Sequence, residues 1–277
     1  MQVCVPLCPA NLLVATCERH RVAPHQGQPN LTESSPLLPF VTKLDAHVTL
    51  SGKDREAVLS LPHRVVRTDA GRYMFREGDR ATSCSVILSG FACRHKVLPD
   101  GSRQILAFHM RGDGVDIQNA LMVLMEHNVQ TLTAVEAAVI PAQAISELVS
   151  TRPALARALW IETLVEASIQ REWTLNVGRR DARARLAHLL CEIGMKLEAA
   201  GLATRDRYTL PMTQEQLADA IGLTSVHVNR VLQSLASDGV ISRDKRSLKM
   251  NDWDAVADVG QFTPEYLQPV QNRSAGA

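Results

Sequence analysis

Between residues 213 and 235 the chain alternates helix caps, apolar positions and one glycine in an order that leaves it few folds to choose from. Thr213 is placed to cap a helix and Gln216 to reach back to it, the pattern of a capping box. Leu217, Ala218 and Ile221 then share one apolar face. Gly222 supplies the turn, because a positive φ is expected there and a side chain is expected to obstruct the next helix. Thr224 caps that second helix, and Val228, Val231, Leu232 and Leu235 follow at the spacing of a buried stripe. Ser225, Val226, His227, Asn229 and Arg230 are left facing outward. Arginine pairs bidentately with guanine and asparagine with adenine in a major groove, so the second helix reads as a DNA-recognition helix. A helical hairpin that touches no nucleic acid is the alternative that spacing alone leaves open.

Two neighbouring features favour DNA. Turn signals at Asp238-Gly239 and Asp244-Lys245 flank Val240, Ile241, Leu248 and Met250, which predicts a small hairpin, or wing, with Arg243, Lys245 and Arg246 at its tip for phosphates. Residues 179–250 carry twelve Lys and Arg against eight Asp and Glu, although the whole chain is close to neutral at +1. A local cationic surface is what phosphate binding requires. Thr213, Gln214 and Thr224, at the two helix starts, belong to the same predicted DNA face.

With 277 residues there is material for two ordinary domains. No run of about 18 apolar residues is present, so no membrane partner is expected. The first 17 residues lack a basic start and are interrupted by Pro6 and Pro9, which argues against a signal peptide and for the cytoplasm. Cys4, Cys8, Cys17, Cys84, Cys93 and Cys191 are scattered, and in that compartment are expected to be free thiols.

The organisation expected is α+β. Residues 1–35, with four prolines and few charges, read as a disordered or loosely attached extension. Residues 36–150 begin with a partly helical stretch, residues 53–61 in particular, and continue with glycine turns at Gly71, Gly78, Gly90, Gly101 and Gly112. Apolar runs at 86–88, 91–97, 105–110 and 135–140 lie between or after those turns, which predicts an antiparallel β-roll, or jelly-roll. Residues 151–178 predict one long helix started by Pro153. Its apolar surface is wider than one contact needs, so Leu164, Val165, Ile169 and Trp173 are expected to pair with a second copy in a homodimer. A further helix from Asp181 leads into the winged helix-turn-helix, assigned to residues 179–255, with 256–277 as a C-terminal tail.

Parts in this order resemble the Crp/Fnr family of transcription regulators over residues 36–254. The motifs that carry the resemblance are Arg76-Glu-Gly-Asp79, Leu88-Ser-Gly-Phe91, Asp100-Gly-Ser-Arg-Gln104, Arg111-Gly-Asp113, Leu210-Pro-Met-Thr-Gln-Glu-Gln-Leu-Ala218 and Leu223-Thr-Ser-Val-His-Val-Asn-Arg230. The last two are the specific ones. The resemblance implies a dimer on a palindromic site that recruits RNA polymerase, with Arg230 on a guanine-reading position and Ser225, Val226 and Asn229 on the other specificity positions. Val226 departs from the family pattern, which has glutamate there. Valine cannot accept a hydrogen bond from cytosine, although it can meet a thymine methyl.

The resemblance also raises three effectors. Cyclic-nucleotide binders of this type place an arginine on the cyclic phosphate after the third glycine turn, yet no Arg or Lys occurs from Ile117 through Glu136. Burying an unpartnered phosphate is costly, and Asp113 and Asp116 add to the cost, so cAMP is not expected. As turn residues these two aspartates are expected to be solvated or capping. An iron–sulfur cluster on Cys4, Cys8 and Cys17 with Cys84 or Cys93 has enough thiolates but the wrong spacing. Haem on Cys93, His95 or His109 matches the family's haem motif weakly. No cofactor is therefore expected, and no metal site. Cys191 is expected to be a small core residue, and nearby arginines make it a candidate redox thiol. A regulator whose DNA binding depends on such an effector is the alternative reading. No nucleophile elbow, phosphate loop, HExxH helix or paired catalytic carboxylates suggests an enzyme.

Overall fold

The structure, a computed structural model, describes residues 35–268. Two helices precede the sheets: α1 (Leu38–His47), started by Pro39, and α2 (Gly52–Leu59), capped by the Ser51 side chain. Leu37, Phe40, Val41 and Leu44 bury the inner side of α1.

The roll follows as β1 (Arg64–Thr68), β2 (Tyr73–Phe75), β3 (Ser83–Ser89), β4 (Ala92–Val97), β5 (Arg103–His109), β6 (Gly114–Val115), β7 (Asn128–Thr131) and β8 (Val135–Pro141). They form two antiparallel four-stranded sheets, ordered β1-β8-β3-β6 and β2-β7-β4-β5. Each apolar run read from the sequence falls on or overlaps a strand, and all five predicted turn glycines have positive φ. Gly90 is the tightest of them. A Cβ there would stand 2.1 Å from the Ala134 carbonyl oxygen, so the β3–β4 turn accepts no side chain.

Helix α3 (Ala142–Thr151) leads through Arg152, in extended conformation, to α4 (Pro153–Arg179), 27 residues and roughly 40 Å long. Asp181 caps α5 (Ala182–Ala199) by accepting from the Ala184 amide. After it come β9 (Arg207–Thr209), α6 (Gln214–Ile221), α7 (Ser225–Ser237), β10 (Ile241–Asp244), β11 (Ser247–Met250) and α8 (Trp253–Gly260), with the three strands ordered β10-β11-β9.

Residues 256–267 differ from the expected tail, whose remainder over 269–277 lies outside the described residues. Helix α8 spans residue 256, and Phe262 and Tyr266 close around His188 of α5, Tyr266 stacking on the ring and Phe262 meeting its edge. The Tyr266 hydroxyl donates to Glu192 at 2.8 Å. Aromatic burial thus extends the folded unit to residue 267. The core is also continuous: Cys93, Ile105, Phe108 and Met110 of the roll share one apolar cluster with Trp173 and with the interior of the winged unit.

Candidate nucleic-acid interface

Local chemistry sets the geometry of the two helices. Thr213 accepts from the Gln216 amide at 3.2 Å, and the Gln216 side chain accepts from the Thr213 amide at 2.8 Å, completing the capping box. Gly222 has φ +65°, as its position after the helix requires. The crowding expected there is absent, since the nearest atom to a Cβ would be a Val177 methyl at 3.4 Å, which is ordinary contact. Backbone conformation alone selects glycine. Thr224 accepts from the His227 amide, and Val228, Val231, Leu232 and Leu235 seal the inner face of α7.

On the outer face Ser225, Val226 and Arg230 are exposed, Val226 by 68%, while His227 and Asn229 are half-buried. Gln214 donates to the Asn229 side-chain oxygen at 3.2 Å and so fixes the plane of that amide. The hairpin of β10 and β11 puts Arg243, Lys245 and Arg246 in solvent, with Lys245 in the left-handed conformation that closes the turn. One recess of about 230 Å³ has apolar walls from Leu210, Met212, Leu217 and Leu232 and is edged by Thr213 and Gln214 from the start of α6 and by Arg243, Lys245 and Arg246 from the wing. Its polar edge was all expected on the DNA face, and the recess these residues share is a feature no local pattern in the sequence records. Pairing a helix N-terminus with three cations suits a phosphate.

The residues assigned to pairing divide. Leu164 is 52% exposed, and Val165 and Ile169 are half-buried, Ile169 against the core. Trp173 is a correction: it is 7% exposed, its indole N–H donates to Glu192 at 2.9 Å, and its ring meets Phe108 edge-on. Trp160 and Leu175, not singled out in the sequence, are exposed and lie within about 60° of Leu164 around the helix.

Inside the roll the two aspartates expected to be solvated are buried and paired, a second correction. Asp113 accepts from Lys43 at 2.7 Å and from the Met110 amide at 2.9 Å, and Lys43 also pairs with Glu162 of α4. Burial opposes the Asp113 charge, but Lys43 and Lys196 outweigh it and hold the carboxyl well below its usual range. Asp116, fully buried, accepts from Arg94 at 2.8 Å and faces His127 at 2.9 Å. Burial is the largest single influence on His127 and lowers its pKa, but the hydrogen bond and charge of Asp116, with the bond to Glu126, together outweigh it and hold the imidazole above its usual value. Arg94 reaches Glu166 of α4 at 3.5 Å as well. The space left beside these groups is about 50 Å³.

Cys84, Cys93 and Cys191 are buried free thiols. Cys191 is a small core residue, as expected, and burial pushes its thiol up to about 12, against the lowering that the redox alternative requires. Cys93 lies 4.0 Å from the His95 ring nitrogen. Cys4, Cys8 and Cys17 fall outside the described residues, as does the extension over 1–34. Among the described residues no helix is long and apolar enough to cross a membrane, and no three His, Cys, Asp or Glu side chains are placed to hold a metal ion.

Comparison with known proteins matches two family models, a Crp-like helix-turn-helix domain over residues 184–259 and a cyclic nucleotide-binding domain over 65–152. A probable transcriptional activator of Rhizobium leguminosarum bv. viciae is 30% identical over 178 residues, covering 63% of this chain and 72% of that protein. The nitrogen fixation regulation protein FixK of Bradyrhizobium diazoefficiens is 31% identical over 183 residues, covering 65% and 74%. Among solved structures, FixK2 from Bradyrhizobium japonicum superposes with a TM-score of 0.67 at 22% identity, over 72% of this chain and 98% of that one. Motif, architecture and kinship agree, and the chain belongs to the Crp/Fnr family of DNA-binding transcription regulators.

Proposed function

We propose that the protein acts in the cytoplasm as a homodimer paired along α4, lays its two recognition helices in successive major grooves of a palindromic promoter site, and activates transcription through contact with RNA polymerase. The observation that carries this reading is the open face of Ser225, Val226, Asn229 and Arg230 beside a recess lined by three wing cations. Arg230 reads guanine and Asn229 adenine, the latter with its amide held by Gln214. Val226 offers only methyl groups, which favours a thymine where a cytosine would leave its amino group unsatisfied. The stripe of Trp160, Leu164 and Leu175 supplies apolar surface for the pair.

No cyclic nucleotide takes part in this reading. Arg94, the buried guanidinium of the roll, is committed to Asp116 and Glu166, and a phosphate there would displace one of those carboxylates. A residual space of about 50 Å³ suits water and no nucleotide. Repeated selection of bound duplexes from a randomised pool, with and without cAMP, tests both statements. Recovery of an inverted repeat with thymine at the Val226 position, unaffected by cAMP, is the expected result. Recovery only in the presence of the nucleotide, or of sequences lacking two-fold symmetry, counts against it.

A further inference from the structure

Strand β5 is the last strand of its sheet, and among the described residues no strand pairs with its outer edge. That edge is taken instead by helices. Gln170 of α4 donates to the Leu106 carbonyl at 2.6 Å, and Lys196 of α5 to the Phe108 carbonyl at 2.8 Å. At the start of the strand Arg103 pairs with Asp219 of α6 at 2.6 Å, and its guanidinium is fixed by Gln130 of β7 at 3.1 Å. Gln104 donates to the Ala220 carbonyl at 3.1 Å, while Arg185 takes the next carbonyl, that of Ile221. The final turn of α6, which feeds directly through Gly222 into α7, is therefore grasped from the roll on one side and from α5 on the other. Both partners of the Arg103–Asp219 pair are about four-fifths buried, where an ion pair is screened less than at an open surface. Arg103 and Asp219 are not among the side chains of the DNA face, of which Ser225, Val226 and Arg230 remain exposed.

We propose that Arg103, Gln104 and Asp219 form a positioning clamp that sets the orientation of α7 relative to α4, and through it the spacing between half-sites that the dimer accepts. This rests on the dimer reading given above. Two recognition helices reach successive grooves only if held about 34 Å apart, and the covalent link from α4 to α5, at Arg180 and Asp181, fixes one end of that geometry. The clamp fixes the other. Without it each winged unit samples a wider range of positions, and the second half-site is met at a lower effective concentration.

The test uses the full chain and duplexes carrying the selected half-site alone or as an inverted repeat, with the spacer at its selected length and changed by one or two base pairs. Arg103→Met and Asp219→Leu are each expected to bind the selected spacing about tenfold more weakly, to keep half-site affinity within about twofold, and to flatten the dependence on spacer length. The double variant should be no weaker than either single one, because both remove the same contact. Charge exchange, Arg103→Asp with Asp219→Arg, should restore part of the spacing preference. Unchanged spacing profiles in the single variants overturn the clamp. So does an equal loss on half-sites, which marks a folding defect, and so does tighter binding, which marks an inhibitory contact. Wild-type protein that binds an inverted repeat no better than a half-site removes the dimer reading itself, and the clamp with it.

Discussion

Acidification should destabilise this protein well above the pH at which ordinary carboxylates titrate, and three histidines set the steepness. Burial pushes the imidazoles of His95, His109 and His188 down to about 4, 3 and 4. In the unfolded chain each takes its proton near pH 6.5. Between pH 6 and 5 the unfolded state thus binds about two to three more protons than the folded one, and stability falls as pH falls. Glu192 works the other way. Its burial raises the carboxyl pKa, so the folded state takes that proton first, which offsets part of the histidine effect. His127, held high by Asp116, stabilises fully below pH 6.5 and loses its contribution only as pH rises through its folded value. Two to three net protons at about 1.4 kcal/mol each per pH unit give a slope of about 3 to 4 kcal/mol per unit. Against a typical total of about 5–15 kcal/mol this is a large share. Urea unfolding followed by circular dichroism at pH 7, 6, 5.5 and 5 measures the slope, and His109→Gln should lower it by about 1.4 kcal/mol per unit. A transition midpoint that stays constant from pH 6.5 to 5 would refute the reasoning.

Three further outcomes follow from buried partners. Arg94→Met leaves Asp116 buried with only His127 and Gln118 beside it and should cost about 3–5 kcal/mol in chemical unfolding, most of it recovered when Asp116→Asn is added. Tyr266→Phe removes a donor from the buried Glu192 carboxylate and should cost about 1–3 kcal/mol, read in the same assay, while leaving the recognition face intact. Cys191 should resist a maleimide at pH 8 in the folded protein and react promptly in urea; fast labelling of the native state would contradict its burial.

The recognition unit was legible because its signals are local. Thr213, Gln216, Gly222 and Thr224 each act within four residues, and their caps and turn appear as the sequence implied. The glycine turns marked the roll for the same reason. Contacts made over long separations were not legible. Arg94 and Asp116 stand 22 residues apart and meet through sheet packing that no periodicity records, so a buried ion pair looked like a solvated turn. Trp173 sat on an apolar stripe of α4, but that helix has apolar side chains on more than one side, and only the position of Glu192 on α5 decides which way the ring turns. Phe262 and Tyr266 follow α8 too closely to show a period, and their role depends on His188, more than 70 residues earlier.

If the outer face of α7 reads DNA bases as proposed, Arg230 lies on a guanine. Fluorescence anisotropy of the wild-type protein and Arg230→Ala on the selected inverted repeat, at fixed salt and with each base of one half-site changed in turn, tests it most directly. The variant should lose about 1–3 kcal/mol, become indifferent to base identity at one position per half-site, and keep an unchanged slope of affinity against salt. Equal affinities and identical base preferences in the two proteins would contradict it.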